Sequence, residues 1–304
     1  MTHNNYHQLQ QMFVNYVKNL RNINIFKLKE RFQFVTVDER YRLICNLKKG
    51  DGYTLLTVAI INNQLSIIEC LLSFLSREQR YKQESQWSES ESHIYITVWF
   101  SSKEMVKCVL NSVKANKRFK LLMLNDDCGY TLLHQAVFNG NSEMVRCILE
   151  LVTVEQQSTL LRVQNDCGHT AIHHVVKKGE VEMLKCMLDF VPVEESCHLF
   201  KIQSEHEWTA VHDAVLNGCE KVIGAILEGV PSTDRYKLLA VQNRGGYNTA
   251  LELALNENKR ETVELIIQWR SSAENRRTKG MSRTGCCEEC LINNLKKYYY
   301  NLFI

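Results

Sequence analysis

The sequence predicts an all-α solenoid of stacked helix–turn–helix units, with a period of about 39 residues and an extra short helix between units. Three observations carry this. A short phrase built on Gly-x-Thr recurs along the chain. Apolar residues after each copy fall at helical spacing, Leu133, Ala136 and Val137 returning as Ile172, Val175 and Val176. Only two prolines, Pro192 and Pro231, interrupt 304 residues, so long helical stretches are permitted.

In chain order, residues 1–50 read as an N-terminal helical cap and a first junction. Residues 51–270 read as repeats starting near 51, 90, 127, 166, 205 and 244, and 271–304 as a basic tail containing cysteines and tyrosines. The phrase is Gly52-Tyr53-Thr54-Leu55-Leu56, Gly129-Tyr130-Thr131-Leu132-Leu133-His134 and Gly168-His169-Thr170-Ala171-Ile172-His173. Two further copies are Glu207-Trp208-Thr209-Ala210-Val211-His212 and Gly246-Tyr247-Asn248-Thr249-Ala250-Leu251. The threonines at 54, 131, 170, 209 and 249 are spaced 77, 39, 39 and 40, so one repeat is hidden in the first gap. Glu104-Met105-Val106-Lys107-Cys108 matches Glu143-Met144-Val145-Arg146-Cys147 at an offset of 39 and locates it, with a decayed opening near Ser92. Gln83–Ser92 is polar and this repeat lacks the turn glycine, so residues 75–101 are the expected weak point of the stack.

Within each unit the glycine suits a tight turn that needs positive φ, and the following threonine suits a helix cap. Gly140, Gly179 and Gly218 end the first helix. A second helix then buries Met144, Val145, Ile148 and Leu149, or Met183, Leu184, Met187 and Leu188 in the next copy. Between units, Val35-Thr36-Val37-Asp38-Glu39-Arg40 and Val230-Pro231-Ser232-Thr233-Asp234-Arg235 place a capping residue before acids, a start signal for a brief junction helix.

Asp127-Cys128-Gly129-Tyr130-Thr131-Leu132-Leu133-His134, with Gly140 and Glu143-Met144-Val145, resembles the ankyrin repeat. The resemblance covers roughly residues 45–270. This chain departs from the family in having Leu132, Ala171 and Ala210 where proline is usual, and a longer period than the family's roughly 33 residues. The resemblance implies a structural role for His134, His173 and His212, hydrogen-bonding the turn and its neighbour. It also implies one groove formed by the solvent side of the first helices and the turn tips. Aligned on this sequence, the groove residues are Gln135, Phe138 and Asn139; His174, Lys177 and Lys178; and Asp213, Leu216 and Asn217.

Candidate chemistry is sparse. Cys70, Cys108, Cys147 and Cys186 share one helical position, and Cys128 and Cys167 share one in the turn. Equivalent atoms in a stack lie roughly 10 Å apart, against Zn–S bonds of about 2.3 Å, so the helix cysteines read as small buried hydrophobes. His169 and His173 are four apart on one helix face, but lack the glutamate of a zinc-protease helix. Cys286, Cys287 and Cys290 have no following fourth ligand, and no prenylation box ends the chain. Without a phosphate loop, nucleophile elbow or paired-carboxylate site, neither catalysis, cofactor nor metal is expected.

Net charge is +3, unevenly placed: residues 1–50 hold nine basic and three acidic side chains, 270–304 seven and three, and 51–269 twenty-one and twenty-eight. An acidic repeat body argues against nucleic acid along it. The first thirty residues hold no apolar run of signal-peptide length, and nowhere do eighteen apolar residues follow one another. The expectation is a soluble, cytoplasmic monomer with reduced thiols that binds another protein, as an interaction module or adaptor. The alternative, carried by the basic ends, is association with nucleic acid or an anionic membrane.

Overall fold

Threonine sets the helix starts. Thr54, Thr131, Thr209 and Thr249 each stand in extended backbone immediately before a helix. There a hydroxyl can accept an amide proton that the first turn leaves without an intrahelical acceptor. The computed structural model describes residues 25–46, 54–85, 102–243 and 249–277. The chain divides into two units, residues 1–174 and 175–304. Gly52, the Ser92 opening, Gly246-Tyr247-Asn248 and the tail cysteines 286, 287 and 290 lie outside the described residues.

The first unit contains α1 (Ile25–Phe32), α2 (Val37–Tyr41), a π-helical turn (Arg42–Asn46), α3 (Leu55–Ile61), α4 (Leu65–Ser73), α5 (Arg77–Ser85), α6 (Lys103–Ser112), α7 (Ala115–Leu122), α8 (Leu132–Phe138), α9 (Ser142–Glu150) and α10 (Val154–Arg162). The division falls inside α11 (Ala171–Lys178). The second unit continues with α12 (Val181–Leu188), α13 (Val193–Phe200), α14 (Ala210–Asn217), α15 (Glu220–Glu228), α16 (Arg235–Leu239), α17 (Ala250–Asn256) and α18 (Arg260–Arg277). The last helix runs past residue 270, where the sequence placed the start of the tail.

The order is therefore first helix, second helix, junction helix, repeated. Among the described residues the β pairing consists of isolated bridges, Asn125 with Thr131 and Gln164 with Thr170, which close the turns before α8 and α11. In the first unit α4 packs on α6, α6 on α9, and the junction helix α5 on α7. In the second, α12 packs on α15, α15 on α18, α13 on α16 and α14 on α17. Like thus stacks on like, as a repeat that cannot bury its own apolar stripe requires.

Leu133, Ala136, Val137, Ile172, Val175 and Val176 are buried as the helical spacing predicts, and so are Met144, Val145, Ile148, Leu149, Met183, Leu184 and Met187. Leu188 is only half-buried. The residue ending each first helix adopts positive φ at Gly140, Gly179 and Gly218, and the same register holds Asn63 and Asn258. Asparagine is the residue that most readily replaces glycine there.

The junction helices carry a device that the sequence patterns did not disclose. In five of them a long polar side chain reaches a main-chain carbonyl in or just beyond the last turn of a helix, where acceptors are left open. Arg118 Nε donates to Leu110 O at 3.1 Å and Gln157 Nε2 to Leu149 O at 2.9 Å. The guanidinium of Arg80 donates to Ser112 O at 2.8 Å. Arg40 and Arg235 use Nε in the same way, on Val35 O and Val230 O, both at 3.1 Å.

Candidate interaction surface

The groove residues stand on a frame built by the turns. In the first unit Asp126 Oδ1 accepts the N–H groups of Cys128 at 2.9 Å and Tyr130 at 2.7 Å. Asn165 Oδ1 accepts those of Cys167 at 3.1 Å and His169 at 2.9 Å. A short side chain folding onto its own backbone stabilises such a turn. Asp126 and Asn165, 39 residues apart, were not singled out in the sequence, although Asx residues two or three before a turn glycine are the signal that could have found them.

Next to the turn, Thr131 N donates to His134 Nδ1 at 3.2 Å, and Thr131 Oγ1 lies 2.9 Å from the same nitrogen. His134 thus takes the part that glutamate takes in an ordinary capping box. Because Nδ1 accepts, the ring proton sits on Nε2, which donates to His169 O in the following turn at 3.2 Å. Burial pushes the imidazole down from 6.5 to about 4. The role implied for this histidine, joining its own turn to its neighbour's, is the observed one. Thr170 with His173 and Thr209 with His212 repeat the cap contact, with N to Nδ1 distances of 3.1 and 3.2 Å.

Of the groove residues in the first unit, Phe138 is exposed over 59% of its surface and Asn139 is exposed. Gln135 is half-buried. His174 is also half-buried and joins a ring cluster, its centroid 5.4 Å from Tyr130, 5.9 Å from His134 and 5.6 Å from His169.

In the second unit Lys177, Lys178, Leu216 and Asn217 are exposed, Leu216 over 41% of its surface. Asn217 Nδ2 donates to Lys177 O at 2.8 Å, linking consecutive first helices, and Lys178 lies 3.9 Å from Glu180. Asp213 departs from expectation: only 4% of it is exposed, so it does not stand on the solvent side. The reason is its register. Gln135, His174 and Asp213 share the fourth helical position, which is half-buried in the first two, and α14 packs directly on α17. Lys177 Nζ lies 3.6 Å from Asp213 Oδ1, while Oδ2 is buried without a hydrogen-bond partner. Burial, partly offset by Lys177, raises the carboxyl from 3.8 to about 6.

Cys70, Cys147 and Cys186 are buried and Cys108 half-buried, while Cys128 and Cys167 at the turn tips are exposed. Burial pushes the Cys108 thiol up to about 11, the opposite of what a reactive thiolate needs. Among the described residues no group of three or more His, Cys, Asp or Glu side chains is arranged to hold a metal ion, and no helix is long and apolar enough to cross a membrane.

Residues 151–236 match a family model described as ankyrin repeats in three copies, and residues 128–154 match a single ankyrin repeat. No curated protein matches the chain in sequence. Among solved structures, the ankyrin repeat domain of Bcl-3, described as a unique member of the IkappaB protein family, superposes with a TM-score of 0.56 at 16% identity, covering 76% of this chain and 93% of that one. An ankyrin repeat domain from Acinetobacter baumannii AYE gives 0.53 at 16% identity, covering 70% of this chain and 96% of the other. Likeness at this identity speaks for the fold, and the turn, cap and histidine bridge speak for the repeat itself. Residues 128–236 are ankyrin repeats by sequence, and the fold built around them is like that of ankyrin repeat domains.

Proposed function

We propose that this chain is a protein-interaction module or adaptor, working in the cytoplasm without catalysis of its own, that holds a partner protein on the exposed side of its first helices. The observation that supports this most is Phe138 and Leu216. They occupy one register of α8 and α14, and both are exposed while the apolar residues around them are buried. Large apolar groups held in water on rigid helices are the usual anchors of a protein interface. In the second unit Leu216 stands beside Asn217, whose amide is tied to Lys177 O, so the main chain that carries this apolar anchor is held to the neighbouring first helix. Ankyrin stacks are generally used in this way.

The test begins with affinity purification using the intact chain, followed by binding measurements with the purified partner. Phe138→Ala probes the first unit and Lys177→Ala with Leu216→Ala the second. Weaker binding by either variant, with the melting temperature nearly unchanged, supports the surface on that unit. Unchanged binding by both rules the surface out.

A further inference from the structure

The first unit carries a second surface of different chemistry, on the neighbouring junction helices α5 and α7. Between Glu104 and Asp126 the chain holds five basic residues, Lys107, Lys114, Lys117, Arg118 and Lys120, and no acidic one. Helix α5 adds Arg77, Arg80 and Lys82 against Glu78 and Glu84. The next two junction helices do not share this concentration. The corresponding helices α10 and α13 carry Glu155 against Arg162, and Glu194 and Glu195 against no lysine or arginine.

Arg77, Lys114 and Lys120 are exposed, while Lys117 is half-buried with its ammonium 4.5 Å from the centre of the Tyr81 ring. Arg118 and Arg80 turn inward to their carbonyl acceptors, so their charges add to the field of the face without competing for its outer positions. Arg80 is left short of counter-charge. Its Nε is buried without an acceptor, and burial followed by the neighbouring charge of Arg77 disfavours its charged form. An anion laid across the face would relieve that repulsion.

We propose that the face formed by α5 and α7 is a docking surface for an acidic segment of a partner protein. Charge complementarity selects the sign of the ligand. The size of the face favours protein over nucleic acid: helices of nine and eight residues are about 12–14 Å long, room for a few carboxylates. Glu104 on one side of the run and Asp126 with Asp127 on the other confine the basic stretch to about that length. A nucleic-acid footprint typically engages six to ten phosphates, on the order of magnitude seen in salt dependence. The surface needs the partner to be a protein, as in the proposed function, but uses none of the first-helix residues invoked there.

The probe is a fluorescein-labelled octaglutamate peptide, titrated with the full chain in low-salt buffer and followed by anisotropy. Reversing charge at three positions, Lys114→Glu with Lys117→Glu and Lys120→Glu, is expected to weaken binding by about tenfold or more, and added salt should weaken the unaltered chain. Phe138→Ala should leave peptide binding unchanged, which separates failure here from failure of the first-helix surface. If the triple reversal melts early, the triple change of the same lysines to glutamine gives the reading, with a smaller loss expected. Unchanged peptide affinity in a folded triple variant would overturn the proposal. So would tighter binding of a labelled single-stranded thymidine dodecamer than of the peptide in the same buffer, which would assign the face to nucleic acid.

Discussion

Gly129 and Gly179 have φ of +79° and +73°, yet their surroundings differ. A Cβ at Gly129 would lie 2.6 Å from Asp166 Oδ1, 2.7 Å from Asp166 N and 2.9 Å from Asn165 Cα, whereas at Gly179 the nearest atom is Cys219 Sγ at 3.7 Å. Gly179→Ala should therefore cost about 1 kcal/mol, the left-handed penalty alone. Gly129→Ala should cost about 3 kcal/mol or more, because backbone has to shift. Equal losses in urea denaturation would show that the turn yields more easily than its contacts suggest. His134 gives a pH dependence. Its folded value, about 4, lies below the unfolded 6.5, so the stability due to the neutral ring is complete above about pH 6.5 and declines as pH falls toward 4. About 3 kcal/mol is at stake, from 1.36 kcal/mol per unit. His134→Gln should flatten the pH profile of stability over that interval, and a profile identical to wild type would remove His134 as its source. The same scale shows where sequence ran out. The turn glycines and the histidines were legible because turn and cap admit few residue types. Glu207, which adopts φ of +57° in the glycine place, and the burial of Asp213 were not, since neighbours rather than local preference hold them.

At the scale of elements, helix order, the hidden repeat and the junction helices could be read from the period, because each unit repeats one apolar stripe. The length of α18 could not: Ile266 is the last of its residues described as buried, yet the helix runs on to Arg277. Second helices set a charged residue at one outward register, Glu69, Lys107, Arg146 and Lys185, but α15 has Gly224 there. A Cβ at Gly224 would meet nothing within 4 Å. Gly224→Ala should accordingly stabilise the protein by about 0.5–1 kcal/mol, since a helical alanine loses less backbone freedom on folding than glycine. A lower midpoint in urea would mean that the bare backbone at Gly224 is engaged in a way its surroundings do not reveal.

For the whole molecule, contact of like helices with like implies coupling between adjacent repeats only. Within the second unit α12 touches α15 and α15 touches α18. Leu184→Ala in α12 and Ile223→Ala in α15 should therefore be non-additive by about 0.5 kcal/mol or more, whereas Leu184→Ala and Val263→Ala in α18 should add within about 0.5 kcal/mol. Double-mutant cycles by chemical denaturation decide this, and coupling of equal size in both pairs would point to a core that responds as one body.

The junction helix has a consequence for how such a gene can change. Because each period from Thr131 to Thr209 carries its own cap, two helices and connector, the natural unit of insertion or loss there is a cassette of 39 residues cut at matching letters of the phrase. Excising residues 132–170 would join Thr131 directly to Ala171, restoring a cap three residues before His173. Such a shortened chain should keep helical circular dichroism per residue and unfold cooperatively. Excising residues 132–164 removes the family's usual length instead and leaves Thr131 facing a second turn, so it should not. Equal behaviour of the two deletions would mean that the junction helix is dispensable ornament, and that a shorter reading frame of repeats would have served this protein as well.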